Sequence, residues 1–407
     1  MLTNWFQPPQ LRIDEESRRA TWLELFFDLI FVVAVSQLAH KLYDQVSFTG
    51  FCEFVILFFP VWWAWIGATF YANRFDVDDI GHRLLTGLQM LAIAGMAVNI
   101  HHGLDTSSTG FALAYATVRF LLVFQYSRAA RHIPQARSLA TYYGIGFAVA
   151  ASLWLLSVFV PIPYRFILWL LGLVIDFGIP LTATEYQKGL LPQTEHLPER
   201  FGLFTIIVLG EAIIAVVDGI AQKDWQVSSV LAAVAGFLIA FSLWWIYFEN
   251  VGGSALRMAA RHGQLWVYQI WLYGHLPLVI GLAATGVGVE QAVLSDPALP
   301  LPEPQRWLLC GSVVLVLISL AILHRIGIIF PCKARSRYRL LAAGLLLALA
   351  VWGSPLTPLS VMALVAAVGV SQIAQDIYQG HPPGYAVALP PIPGEAEPLS
   401  LSEGHDS

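Results

Sequence analysis

An all-α, polytopic membrane helical bundle of about 12 transmembrane helices is predicted by three observations. The 407-residue chain is 57% hydrophobic and 12% charged, with a mean hydropathy of +0.65; a soluble domain carries about 25% charged residues. Its apolar residues fall into twelve runs. Its lysines and arginines collect on one side of those runs.

The runs cover 22–41, 51–72, 84–101, 110–126, 142–160, 164–182, 201–218, 227–248, 264–287, 306–324, 339–353 and 358–376. A backbone in hydrocarbon must satisfy its own N–H and C=O groups, so an apolar run of ~20 residues reads as a spanning helix. Residues 1–21 are polar, and the long run after them predicts a first span rather than a signal peptide. The eleventh run is the shortest and ends at Gly353-Ser354-Pro355.

Twelve spans put both termini and the even-numbered connections on one side. That side holds 17 of the 22 basic residues; the other holds Lys41, Arg165, Lys223 and Arg306, and Arg119 lies within a span. The positive-inside rule then places both termini in the cytoplasm, with the chain in a bacterial inner membrane.

Two acidic residues sit in apolar runs that look alike: Asp28 in Leu25–Ala34 and Glu211 in Val208–Val216. Asp28 maps to Glu211 at an offset of 183, Trp62-Trp63 to Trp244-Trp245 at 182, and His82 to His262 at 180. The near-constant offset predicts two parallel six-helix repeats, 22–182 and 201–378, joined by a cytoplasmic connection, 183–200. Residues 1–21 form an N-terminal segment. From 379 to 407 prolines, glycines and acids dominate, and a disordered cytoplasmic tail is expected.

Composition also excludes. The net charge of −5 is spread along the chain, so no nucleic-acid partner is expected. The three cysteines, Cys52, Cys310 and Cys332, lack metal-ligand spacing. No His-Glu-x-x-His, nucleophile elbow or phosphate-binding glycine loop is present, which argues against an enzyme. No metal and no cofactor are expected. The partners are the lipid bilayer and a proton or monovalent cation. The sequence leaves the oligomeric state open, a homo-oligomer included.

Ionisable groups within spans are the site candidates, because each costs roughly 2.5–3.5 kcal/mol on insertion scales. Glu24 and Asp28 lie four apart, on one face of the first helix. Glu211 lies near mid-depth, with Asp218 seven residues on along the same face. Asp176 is in the sixth span and Arg119 in the fourth. Asp28, Glu211, Asp176 and Glu24 are the candidate ion- or proton-binding residues. Arg119 is the candidate charge partner, expected to neutralise Asp28 or Glu211. Three deep acids against one deep base would leave two charges to be met by protons or a bound cation. His275 reads as a satisfied core histidine. The tryptophan clusters read as core and interface anchors, and Gly281, Gly286 and Gly288 as sites of close helix packing.

The segments Arg19–His40, with Leu23-Glu24-Leu25-Phe26-Phe27-Asp28, and Glu199–Ile214, with Val208-Leu209-Gly210-Glu211, together resemble the signature of the bacterial low temperature requirement A (LtrA) family. The resemblance implies a multispan bacterial membrane protein named for growth in the cold, with Glu24, Asp28, Gly210 and Glu211 as motif positions. A looser likeness exists to the lysosomal potassium channel family marked by an Arg…Phe-Ser-Asp signature; here Phe27-Asp28 follows Arg19 at a different spacing, and Phe stands for Ser. The expected function is transport or conduction of a small solute or cation through buried carboxylates. The alternative is a structural or sensory membrane protein supporting growth in the cold.

Overall fold

A computed structural model describes residues 7–12, 21–76, 79–187, 190, 196–222, 227–249, 256, 264–326 and 333–379. Arg18, Arg19, His262 and the expected tail from 380 onward lie outside the described residues.

Local sequence signals start most of the helices. Helix α1 (Trp22–Asp44) opens on a capping box: the Thr21 side chain accepts from the Glu24 N–H, and Glu24 accepts from the Thr21 N–H at 2.8 Å. Helix α2 (Phe48–Arg74) is capped by Ser47, and α3 (Ile80–Asn99) by Asp79. Helix α4 (Ser108–His132) ends on Arg131 and His132, which complement its dipole. Helices α5 (Arg137–Ser157) and α6 (Arg165–Thr182) complete the first set, and a single helical turn, Thr184–Gln187, leads out of it. The second set is α7 (His196–Gln222), α8 (Val227–Phe248), α9 (Leu265–Leu294), α10 (Glu303–Arg325), α11 (Lys333–Trp352) and α12 (Pro358–Tyr378).

These twelve long helices coincide with the twelve apolar runs. Ten are long and apolar enough to cross a membrane. The other two, α3 and α11, have 20 residues each, about 30 Å and hence a bilayer's hydrocarbon depth. They are more polar: α3 carries His82, Arg83 and Gln89, and α11 begins with Lys333, Arg335, Arg337 and Arg339. The eleventh run therefore marks only the apolar part of a longer helix. The protein is an all-α polytopic membrane bundle. A short antiparallel ladder, Gln10–Leu11 with Phe75–Asp76, fastens the N-terminal segment to the end where α1 begins, here called the near end. Asp79 accepts there from the Gln7 N–H at 2.8 Å and from Arg128 at 3.0 Å.

Neighbour relations recur between the two sets. Helix α1 packs on α2 and α3 as α7 packs on α8 and α9, and each set continues as a chain of consecutive neighbours to its sixth helix. The sets meet where α7 and α9 contact α1 and α2. Trp63 of α2 stacks on Phe177 of α6 at 4.0 Å and on Tyr273 of α9 at 5.9 Å, so one indole bridges the sets. Trp62, Trp63, Trp65 and Trp271 are buried core residues, whereas Trp266 is 58% exposed, as expected for a ring at the lipid interface.

Helix α9 is the most enclosed span, and its glycines explain how. A Cβ on Gly281 would meet the Ser312 carbonyl oxygen at 2.9 Å, and one on Gly288 would meet the Leu309 Cα at 2.8 Å, so α10 lies against bare backbone. Gly288→Val is expected to push α10 away and to destabilise the protein by roughly 1–3 kcal/mol, read as a lower melting temperature in detergent; an unchanged melt would contradict this packing.

Candidate functional site

Asp28, the seventh residue of α1, is buried, and its Oδ1 accepts from Trp65 Nε1 at 2.9 Å and from Arg200 Nη2 at 2.7 Å. Its Oδ2 has no hydrogen-bond partner among the described residues. Arg200 also approaches Glu24 at 3.9 Å and Thr69 at 3.5 Å. Asp28, Glu24, Arg200 and Trp65 thus form one network joining α1, α2 and α7. Glu24 serves it twice, as the helix cap and as a partner of Arg200.

Asp176 is fully enclosed between Arg119 and Tyr115. Arg119 Nη2 donates to Oδ1 at 2.5 Å, and the Tyr115 hydroxyl donates to Oδ2 at 2.7 Å. The Arg119 guanidinium also lies over the Phe147 ring, 4.2 Å from its centroid. Gly67 makes the room: a Cβ there would stand 2.8 Å from Arg119 Nη1. Arg119 therefore neutralises Asp176, not Asp28 or Glu211 as expected. The geometric reason is that Arg119 and Asp176 face each other between α4 and α6, remote from α7. The expected excess of two acids also shrinks, because Arg200 is a second deep base. In the sequence Arg200 falls in the connection, one residue before the apolar run, but α7 begins four residues earlier and carries it inside.

Glu211 is the remaining case. It is the sixteenth residue of α7, is 6% exposed, and has no ion-pair partner among the described residues. Ser36 of α1 lies close to its carboxylate, and the Glu290 carboxylate of α9 is the charged group that acts on it. Asp218, exposed and two turns on, acts on Glu290 in the same way. Together they form an acidic file that runs from the far end of the bundle to mid-depth, with Asp218 exposed, Glu290 half-buried and Glu211 buried. Gly286 shapes its inner end. A Cβ there would meet the Ala212 N at 3.0 Å and the Glu211 C at 3.2 Å, so α9 closes directly on the backbone that carries Glu211.

The order of contacts fixes the direction of the seam. Asp28 meets Arg200, Phe31 meets Phe204 with ring centroids 6.3 Å apart, and Ser36 meets Glu211. Helices α1 and α7 are therefore parallel neighbours. Asp28 and Ser36 are eight residues apart on α1, or about 12 Å of rise. Asp28 and Glu211 consequently lie at different depths, with Asp28 towards the near end and Glu211 near mid-depth. The residue level with Asp28 is Arg200. The apolar motifs align because Val, Ile and Leu match in many registers, whereas the side-chain contacts have only one. Between the two levels, Phe31, Val35, Phe204 and Val208 are buried together and fill the seam.

A cavity of about 550 Å³ opens at the near end. Its wall includes Glu24 and Arg200, so it reaches the Asp28 network; Glu211 is not part of it.

These motif residues decide the family. The profile of the bacterial low temperature requirement A protein (LtrA) matches residues 19–374. The chain belongs to the LtrA family. It is 28% identical over 306 residues to an uncharacterized protein of Rhizobium meliloti (strain 1021), covering 72% of this chain and 73% of that one. No solved structure matches it. In this LtrA-family chain, the motif acids divide into two environments. Glu24 and Asp28 belong to an arginine-centred network, and Glu211 to a file of carboxylates.

Three further groups escaped the sequence reading. Glu290 lies beyond the apparent end of the ninth run, four residues after Gly286 and so on the face that meets α7. Arg339 and Asp376 pair in a buried site between α11 and α12, where Arg339 also donates to Gln372 at 2.9 Å. His275, by contrast, is the satisfied core histidine: Nδ1 bonds to the Trp271 carbonyl at 2.7 Å and Nε2 to the Tyr247 hydroxyl at 3.2 Å.

Asp176→Leu strands a buried guanidinium and is expected to cost about 3–5 kcal/mol, while the Arg119→Leu/Asp176→Leu pair, which removes both charges, recovers most of it. Melting temperatures of the two purified variants check this; a double variant no more stable than the single one would refute the pairing argument.

Proposed function

We propose that the chain is a non-enzymatic transporter that moves a proton or a small cation-coupled solute along the α1–α7–α9 seam, with Glu211 as the group that gains and loses the charge. One observation carries the reading: Glu211 is a buried carboxylate without a basic neighbour among the described residues, set beside a second carboxylate. A charge so placed is stabilised by a proton or a cation, because repulsion and lost hydration both oppose the bare anion. The acidic file supplies a route from the far end, the near-end cavity stops at the Asp28 network, and the aromatic block at Phe31 and Phe204 separates them. A polar file towards one end and an aromatic block at mid-depth suit alternating access. Asp28 and Asp176 take the structural part, since each is already matched by an arginine.

The recurring neighbour relations support a duplicated bundle of two six-helix sets moving against each other across this seam. Seventeen basic residues against four support an inner-membrane orientation with the near end and both termini in the cytoplasm. The acidic file then faces outward.

The test is flux through liposomes holding the purified chain, with proton, sodium and potassium gradients imposed in turn. Glu211→Gln is expected to cut the active flux at least tenfold while insertion and melting stay normal, and Glu290→Gln to cut it less. Full flux in Glu211→Gln would remove this assignment. Absence of any flux in the parent protein would favour the structural or sensory reading.

A further inference from the structure

The groups around Glu211 distinguish a proton from a metal cation. A sodium or potassium ion that sheds its water needs several oxygens in place of its hydration shell. In membrane transporters many of those oxygens are carbonyls of broken helices. At Glu211 the three helices of the seam are unbroken: α1 runs from Trp22 to Asp44, α7 from His196 to Gln222 and α9 from Leu265 to Leu294. Their carbonyls at this level are taken up by the helices' own N–H groups. Pro277 frees a carbonyl in α9, but it stands nine residues before Gly286, about 13.5 Å closer to the near end.

Side-chain oxygens are committed too. Beside Gly286, the Thr285 hydroxyl is bound to the Gly281 carbonyl at 2.7 Å and to Ser312 of α10 at 3.0 Å. Gln291 donates to the Tyr43 carbonyl at 3.0 Å and accepts from Gln305 at 2.9 Å. Among the described residues no three His, Cys, Asp or Glu side chains converge so as to hold a metal ion. A proton asks for less. A protonated carboxyl needs one acceptor, and the Ser36 hydroxyl close to Glu211 can be that acceptor.

The other charged groups on the helices packed against α7 are paired or stand away from Glu211. On α1, Lys41 pairs with Glu53 at 2.8 Å, Asp44 faces His101 at 3.7 Å, His40 is exposed, and Glu24 and Asp28 belong to the Arg200 network. On α2, Glu53 and Arg74 lie towards its two ends. Helix α8 carries no acid or base, and its phenol, Tyr247, is bonded to His275 of α9. Tyr43 stands near Glu290 at the far end.

Resting on the transport reading, we propose that the charge Glu211 gains and loses is a proton, delivered from the far end through Asp218 and Glu290. The exposed Asp218 carboxylate takes a proton from water and passes it to the Glu290 carboxylate, which passes it to Glu211. Each donor regains its negative charge as the acceptor becomes a neutral acid. Asp218 lies seven residues beyond Glu211 on α7, about 10.5 Å of rise, and Glu290 lies four beyond Gly286 on α9, about 6 Å. Glu290 is therefore at intermediate depth, and each step is short enough to pass directly or through one water.

Dicyclohexylcarbodiimide, which reacts with protonated carboxyl groups in apolar surroundings, tests this on the purified full chain in detergent, with adduct sites read by peptide mass spectrometry. Glu211 is expected to be labelled, and labelling to fall at least fivefold as the pH rises from about 5.5 to about 9, because ionisation removes the reactive acid. Sodium or potassium at about 100 mM should change it less than twofold at fixed pH, since neither finds a shell of oxygens there. Glu290→Gln removes a neighbouring negative charge, so the labelling midpoint should move to lower pH; an unmoved midpoint would overturn the relay. Absence of a Glu211 adduct across the pH range would overturn the proton assignment. Protection of Glu211 by sodium or potassium would overturn it too, and would leave the transport reading standing with a metal cation in the proton's place. The expected labelling in a chain that shows no flux in liposomes would support the proton at Glu211 and remove the transport reading alone.

Discussion

The structure is governed by what a charge needs when water is absent. Among the described residues, each buried acid within the bundle either meets an arginine or collects other acids, and those two solutions sort the interior. Asp176 and Arg119 tie α4 to α6, Asp28 and Arg200 tie α1 to α7, and Asp376 and Arg339 tie α12 to α11. Each tie is specific in a way that apolar contact is not. Lipid tails compete equally with leucine for a leucine surface, but they offer an isolated guanidinium nothing. Breaking any one pair leaves its other half stranded, so the pairs fix which helices are neighbours and at what rotation.

The Asp28–Arg200 pair has the widest consequence because it crosses between the two helix sets. It sets the register of α1 against α7, and that register decides what Glu211 meets. With Asp28 beside Arg200, Phe31 falls beside Phe204 and Ser36 beside Glu211. Trp65 reinforces the choice by donating to the same oxygen as Arg200 and by packing its ring on Phe201 and Phe204, at 5.0 and 4.4 Å. A one-turn slip of α7 would place Phe204 against Asp28 and leave two charges unmatched. The acidic file is thus held in place by a basic contact about 12 Å away along the helix.

Much of this could be read from the sequence, and the omissions share a cause. Hydropathy found all twelve helices because an apolar run of bilayer length has few other uses. It also found the deep acids Asp28, Asp176 and Glu211 and the deep base Arg119. It missed Arg200, Glu290, Arg339 and the role of Asp376 because these lie within a turn of where apolar character fades, while the helices continue. A hydropathy profile reports the centre of a span; polar pairs gather towards its ends, where burial costs less. The partner of each acid was illegible for another reason. Arg119 is equally plausible for any deep carboxylate until the rotations of α4 and α6 are known, and those depend on Gly67 leaving space beside α2. The near-match of Asp28 and Glu211 across an offset of 183 was the most persuasive pattern in the sequence. It does not by itself say which residues meet, because apolar flanks carry almost no register information.

The same logic explains why the seam is the part of the bundle best suited to movement. Along the α1–α7–α9 seam the near-end contact is ionic and directional, the middle is aromatic packing, and towards the far end α7 and α9 carry a row of like charges. Like charges gain nothing from staying close, so on the proposed reading protonation or cation binding at Glu211 would remove a repulsion between α7 and α9. Gly286 makes that repulsion consequential, because without a side chain of its own α9 rests on the backbone at Glu211 and Ala212. On the same reading a small change in α7–α9 spacing would act directly on the backbone that carries Glu211. The Asp28–Arg200 pair would stay closed through such a change, because releasing either partner leaves a charge in hydrocarbon. Motion about a fixed near-end contact, driven by charge at a far-end one, is what this distribution of side chains favours.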